Sequence, residues 1–427
     1  MMELSCQMCI LLTCACRLSN PHVGGRCVYP GTEGLDDRSS DFGLPIPLSR
    51  DDATSVWSIP ASSQRRPPRA RPRGNRVRFF APNRKPNTNP SVIDYKRVHG
   101  RPSALSTLKN YNLRNMATTT TTTTSPSASS VTRRVTKKVL AVEQLEGEGA
   151  LVRRSIGTDQ LRNLTPFLML DHFHVKPGAG FPDHPHRGQS TVTYMLEGTS
   201  DHEDSAGHRG TIETGGVQWM VAGRGIIHAE MPVHAPGQPD PRGLQLWVNL
   251  PKQYKMVEPM YQELDAAGIP TAYPAGEDAG LRVKVISGIS AGVESPVRSL
   301  GGCWYFHFIW NKEGVSTFQD LPKGWTAFIY VLKGTLLVGN DSIAHKAFHT
   351  LVLSADDVES GVLLKSGTND TELMLAAAES IDEPIVQYGP FVMNTREEIM
   401  DTLRDYQLGR NGFEKAHSWK SEIAQRA

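Results

Sequence analysis

Residues 188–198 read GQSTVTYMLEG, and residues 324–334 read GWTAFIYVLKG. The two segments align at an offset of 136, with Tyr194-Met195-Leu196-Glu197-Gly198 matching Tyr330-Val331-Leu332-Lys333-Gly334. Each is rich in β-branched and aromatic residues and closes on a glycine, as a strand running into a turn does. Self-similarity at a fixed offset marks a duplicated structural unit. Each copy is expected to be a β-barrel of roughly 120–140 residues. At the same offset His184 falls on Asp320 and His186 on Pro322, so a histidine pair in the first copy is lost from the second.

The same texture extends outward from Val139. VQWMVAGRG, LQLWVNL, LRVKVISG, WYFHFIW, TLLVGN and HTLVLSADD are short runs of Val, Ile, Leu and aromatics between Gly, Pro and Asp turns. Many short strands with turns between them predict an all-β sandwich or barrel architecture. Helical spacing shows only near the end of the chain. There Asn394 stands as an N-cap with Glu397 three residues on, Ile399, Leu403 and Tyr406 repeat at helical intervals, and Gly409 and Gly412 follow as stops.

Residues 1–138 have a different composition. Between residues 64 and 114 there are fourteen Lys or Arg and a single acid, Asp94, and ATTTTTTTSPSASS follows. Such a segment buries too little apolar surface to offset chain entropy and is expected to be disordered. The apolar run MCILLTCACRL is preceded by Glu3 and lacks the basic flank of a secretion signal. Met116 opens an acid-free, hydroxylated, basic stretch, which fits an alternative start with a plain tail, or organelle targeting.

The formal net charge of +2 hides this asymmetry, because residues 139–427 carry 36 acidic and 24 basic side chains. The globular part is therefore not a nucleic-acid binder by its field. No run of eighteen apolar residues is present, so no membrane-spanning helix is expected. Five of the six cysteines lie in the first 27 residues, leaving Cys303 alone in the later chain, expected in the core and without a partner for a disulfide.

The chemistry-bearing residues cluster in the first copy. FPDHPHRG (181–188) places His184 and His186 at i and i+2, and alternate residues of a strand share one face. AGRGIIHAEMP (222–232) repeats the device with His228 and Glu230. Three imidazoles and one carboxylate leave open positions on an octahedral ion, which suits non-haem Fe(II) oxygen chemistry better than a closed structural zinc site. A second pair, His172 and His174, lacks a downstream partner and reads as a strand end, while His202 and His208 flank a turn expected to be solvated. Trp219, Trp247 and Trp325 are expected in the core.

FPDHPHRG, TYMLEG, HEDSAGHRGTI, QWMVAGRGIIHAEMP, GLQLWVNLP and GPFVMNT together resemble the pirin family of the cupin superfamily, from about Val139 to the C-terminus. The resemblance implies two tandem cupin barrels of double-stranded β-helix, jelly-roll-like form, with a short C-terminal helix. Residues 139–265 would be the metal-binding barrel, and residues 266–427 a degenerate barrel carrying the helix. It implies that His184, His186, His228 and Glu230 bind Fe(II) or another divalent transition ion. The general cupin pattern has a glutamate shortly after HxH; here Gln189-Ser190-Thr191 stands there, and Glu230 serves instead. The implied activity is that of a quercetin 2,3-dioxygenase, with Glu230 as general base toward a flavonol and O2. The resemblance also implies the alternative of a non-enzymatic, iron-dependent co-regulator that binds transcription factors. Nucleus and cytoplasm are the expected location, or a plastid if the extension is a transit peptide.

Overall fold

A computed structural model describes residues 130–426. Residues 1–129 of the N-terminal extension, with its cysteines, its Arg-rich run and Met116, lie outside the described residues; residues 130–138, also expected to be disordered, are described and hold most of a strand.

The first barrel uses β2 (Val142–Glu146), β3 (Ala150–Ile156), β4 (Phe167–His174), β5 (Phe181–His186), β6 (Gln189–Glu197), β7 (Thr199–Asp204), β8 (Arg209–Glu213), β9 (Val217–Val221), β10 (Ile226–Val233), β11 (Arg242–Asn249) and β12 (Met260–Leu264). The second uses β13 (Thr271–Ala272), β14 (Leu281–Ser287), β17 (Cys303–Trp310), β18 (Ser316–Asp320), β19 (Thr326–Lys333), β20 (Thr335–Val338), β21 (His345–Lys346), β22 (His349–Leu353), β23 (Gly361–Ser366) and β24 (Glu372–Ala378), with the small hairpin β15 (Ile289–Ser290) and β16 (Val293–Glu294) at its edge. Among the described residues no helix is long and apolar enough to cross a membrane.

The duplication read from the sequence is visible strand by strand. The first barrel has a large sheet ordered β12-β9-β6-β11-β4-β3-β2 and a small one ordered β5-β10-β7-β8. The second has β1-β22-β19-β24-β17-β14-β13, with β1 spanning Val135–Leu140, and β18-β23-β20-β21, which is the same order with β6 answered by β19 and β11 by β24. One edge breaks the order of the chain. β1 (Val135–Leu140) precedes the first barrel but pairs antiparallel with β22 of the second, Val139 opposite Thr350. The boundary expected at Val139 thus falls inside a strand that belongs to the other barrel's sheet. Just before it, buried Arg133 donates to the carbonyls of Trp325 (2.6 Å) and Pro322 (2.7 Å).

Period-two alternation explains how one strand serves two cores. Val192 and Tyr194 of β6, with Phe328 and Tyr330 of β19, lie in one buried cluster drawn from both large sheets, where Phe167 meets Phe328 edge-on at 4.8 Å. Two tyrosine–histidine pairs cross this layer reciprocally: Tyr194 Oη to His307 Nδ1 (3.1 Å) and Tyr330 Oη to His172 Nδ1 (3.3 Å). The opposite face of each strand looks into its own barrel. In β19 that face carries Ala327, Ile329 and Val331, part of a closed apolar core. In β6 the equivalent positions are Thr191, Thr193 and Met195, so the first interior is partly polar where the second is filled with hydrocarbon.

The chain then returns to the first barrel. β25 (Val386–Tyr388) and β26 (Phe391–Met393) form a hairpin, and helix α1 (Arg396–Leu408) follows. The helix cap is Thr395 rather than Asn394, in a reciprocal capping box with Glu398 rather than Glu397, and Gly409 ends the helix at φ 62°. Ile399 packs with Phe391, Met393, Phe413 and Ile227 of β10, with Leu403 and Tyr406 against them, as the helical spacing anticipates.

Candidate metal centre

β5 and β10 are antiparallel neighbours, and their register sets His228 opposite His184 and Ile226 opposite His186. A bulge between His228 and Glu230 re-aims the end of β10. Neighbouring strands with HxH and HxE therefore present their side chains on one face. The ring centroids of His184 and His228 are 4.3 Å apart, those of His184 and His186 4.9 Å, and those of His186 and His228 5.0 Å. One nitrogen from each histidine lies within 4.8 Å of the other two. His186 and His228 are buried, whereas His184 is half-buried, so the cluster opens on the His184 side.

Glu230 stands beside this triad. Its Oε2 is 3.9 Å from His228 Nε2, its Oε1 accepts from Thr193 Oγ1 (2.6 Å), and its Oε2 accepts from Gln245 Nε2 (3.0 Å). A carboxylate offers about four lone-pair sites, so two remain for an ion or a substrate proton.

The residues fit a bound metal ion. His228 Nε2 is buried with no hydrogen-bond partner, a costly arrangement unless a ligand takes its lone pair. His184 Nδ1 lies 2.8 Å from the Pro182 carbonyl, which can only accept; Nδ1 is therefore the protonated nitrogen and Nε2 keeps its lone pair. Burial, then the His184 imidazole, pushes His186 well below the ordinary histidine pKa. Burial, then His184, His186 and His202, does the same to His228. Neutral imidazole is the form that ligates. With three nitrogens and one carboxylate oxygen, the donor set suits Fe(II), Mn, Co, Ni, Cu or Zn.

Around the centre, sequence marked Gln189 only as standing where the usual glutamate would be and Trp247 only as core, and it did not mark Thr193 or Gln245. Gln189 lies 2.9 Å from His186 Nδ1 through its Nε2, and the same atom donates to the Pro390 carbonyl at 3.1 Å. Trp247, expected in the core, sets its ring edge-on to His186 at 5.1 Å. Trp219 is buried between the large sheets, and Trp325 packs on Trp304 at 5.7 Å. Thr193 and Gln245 read as ordinary strand residues. The signal that marks Thr193 is its position in the repeat, polar where the second copy has Ile329.

The other histidines singled out from the sequence lie elsewhere. His172 belongs to the layer between the large sheets, where burial, then Arg242, Arg153 and His174, pushes it down to about 4. His174 ends β4 within 3.5 Å of Asp240. His202 is buried on β7 and bonds Glu263 at 3.1 Å, against the expectation of a solvated turn. His208 is more exposed and bonds Asp204. Cys303 is buried, as expected, and burial raises its thiol pKa.

Arg187, next to His186, is not free to meet an anionic substrate. Its guanidinium is buried and donates to the Arg224 carbonyl (2.6 Å), Thr402 (3.1 Å), Asp405 (3.1 Å) and the Asn411 carbonyl (2.6 Å), lying over the Phe413 ring. Lys255, also buried, donates to the carbonyls of Gly188 (2.9 Å) and Val392 (3.0 Å) and to Asn249 Oδ1 (2.7 Å); burial lowers its pKa to about 8. Together they fasten the C-terminal segment beside the centre.

Two sheeted barrels of matching strand order, one holding a triad of imidazoles and the other a sealed apolar core, define a bicupin with a single candidate metal site in its N-terminal barrel among the described residues. The description "Pirin" matches residues 149–248, and "Pirin C-terminal cupin domain" matches residues 309–412. The chain is 50% identical over 291 residues to a pirin-like protein of Solanum lycopersicum, covering 68% of this chain and 97% of that one. It is 46% identical over 295 residues to pirin of Homo sapiens, covering 68% of this chain and 98% of that one. A crystal structure described as quercetin 2,3-dioxygenase from Acinetobacter baumannii superposes with a TM-score of 0.61 at 31% identity, covering 66% of this chain and 99% of that chain. The chain belongs to the pirin family.

Proposed function

We propose that the chain is an iron-dependent dioxygenase that opens the central ring of a flavonol such as quercetin. The carrying observation is the half-buried face of the triad at His184, with Glu230 held beside it by Thr193 and Gln245. The likeness to the Acinetobacter baumannii structure, whose description names that activity, supports the reading.

When bound by His184, His186, His228 and Glu230, Fe(II) supplies a Lewis acid and a one-electron couple for O2 chemistry. The protein's own contribution is proton handling and orientation. The flavonol 3-hydroxyl must lose its proton, and Glu230 is the carboxylate placed to take it. Thr193 and Gln245 each donate to one of its oxygens, so the base stays aimed at the triad while it waits for a substrate. Trp247, half-buried, sets its ring edge-on to His186 and holds that imidazole in place. Both oxygen atoms of O2 enter the organic product, a depside, and the carbon bearing the 3-hydroxyl leaves as carbon monoxide.

The test is carbon monoxide release from quercetin under O2 by the iron-loaded full chain. Release that vanishes in His184→Ala/His186→Ala is the expected result. A folded, iron-replete protein that releases none overturns the dioxygenase reading.

A further inference from the structure

Gln189 occupies an unusual place. It is fully buried at the start of β6, immediately behind the triad, and its repeat equivalent is Trp325. Its Nε2 faces two partners at once, His186 Nδ1 (2.9 Å) and the Pro390 carbonyl (3.1 Å), while its Oε1 is buried with no partner at all. An amide nitrogen only donates, so in this arrangement His186 Nδ1 accepts. A histidine that ligates through Nε2 needs the opposite tautomer, with Nδ1–H donating to a neighbour. The orphaned Oε1 is the acceptor that this tautomer lacks. Rotation of the amide by half a turn brings it to Nδ1, and the Pro390 carbonyl, which also borders the His186 ring, shares the same proton.

We propose that Gln189 is a positioning residue of the metal centre, its amide oxygen set to accept from His186 Nδ1–H so that Nε2 is left to ligate. This rests on the metal-centre reading above. The device spans both halves of the chain, because Pro390 belongs to the C-terminal segment that returns from the second barrel. Arg187 and Lys255 hold that segment in place from either side of Gln189, through Thr402, Asp405 and Val392.

Two substitutions separate donor from acceptor. Gln189→Met keeps the length and removes both functions; Gln189→Glu can only accept while ionised. Affinity for Co(II) is measured on the full chain by competition with a coloured chelator. Histidine tautomers are read from long-range 15N–1H correlations in the metal-free and Zn(II)-loaded protein. The expected result is that Gln189→Met weakens Co(II) binding ~10–100-fold, whereas Gln189→Glu binds at least as tightly as the native chain. In the Zn(II)-loaded native chain the His186 proton is expected on Nδ1. Unchanged affinity in Gln189→Met, or a His186 proton on Nε2 in the loaded chain, overturns the proposal while leaving the centre standing. A native chain that binds no Co(II), Fe(II) or Zn(II) overturns the centre itself. If Gln189→Met melts early, Gln189→Glu still decides: weaker binding than native contradicts an acceptor role.

Discussion

Replacing Arg187 with methionine is expected to destabilise the protein far more than loss of a surface arginine would. The native guanidinium is 1% exposed and makes four hydrogen bonds, two of them to the carbonyls of Arg224 and Asn411. Methionine fills much of the volume but leaves those carbonyls without their donor. An unsatisfied buried polar group costs about 1–3 kcal/mol. Asp405 is partly spared because Arg410 (2.8 Å) and Asn411 (3.1 Å) still donate to it. The total is on the order of 3–5 kcal/mol, the range for breaking a buried ion pair. For a domain of this size that corresponds to a fall in Tm of roughly 6–15 °C. The pH dependence carries a further signature. Burial pushes the Asp405 carboxyl up, but bonds from Arg410, Arg187 and Asn411 outweigh it and hold the group below the usual carboxylate range. A depressed carboxyl stabilises fully above its unfolded pKa of about 4 and progressively less as pH falls through the folded value. The gap between native and Arg187→Met is therefore widest near neutrality and narrows in acid. Scanning calorimetry gives the Tm, and hydrogen exchange across residues 390–426 shows whether the C-terminal segment opens first. A variant melting within about 2 °C of native at pH 7 would refute the clamp.

Other expected outcomes follow from the same geometry. Glu230→Gln keeps the fold but lowers carbon monoxide release by about 10²–10⁴-fold, the contribution of a positioned general base; an active variant places the base elsewhere. His172 is held neutral to about pH 4, so the native state binds fewer protons than the unfolded chain between roughly 4 and 6.5. Stability should fall across that window as pH drops, by up to about 3 kcal/mol, and His172→Phe should flatten the slope in urea titrations. Starting the chain at Val139 removes Arg133 and four of the six residues of β1, so exchange should rise at Leu351–Leu353 in the second barrel before the first is affected. A saturating divalent ion at 100 times its Kd should stabilise the native chain by about 2.7 kcal/mol and leave His184→Ala/His186→Ala unmoved.

The fold was legible because its main signals are local and repeated. Period-two alternation in VTYML and FIYVL, glycine at both ends, and a constant offset point to two barrels without tertiary information. HxH and HxE were legible because alternation places each pair on one face, and antiparallel neighbours then place the pairs together. What sequence could not supply is contact between distant segments. Gln189 and Pro390 lie 201 residues apart, and Arg187 and Asp405 lie 218 apart. Nothing in FPDHPHRG shows that its arginine serves helix α1 rather than a substrate. The edge strand β1 was missed for a similar reason: a strand usually pairs with its neighbours in sequence, and Val135–Leu140 instead crosses to β22. The polar lining of the first barrel was present in the repeat, as Thr191 and Thr193 against Ala327 and Ile329, and shows its meaning only beside a second barrel whose core is sealed.

The measurement that bears most directly on the whole account is an anomalous-scattering map of crystals of the full chain grown with Fe(II) under anaerobic conditions. The account predicts one strong peak in the N-terminal barrel, at ligand distance from nitrogens of His184, His186 and His228, with a Glu230 oxygen turned toward it. A map from iron-loaded crystals with no peak among those three imidazoles, or with the iron held by other residues, would contradict it.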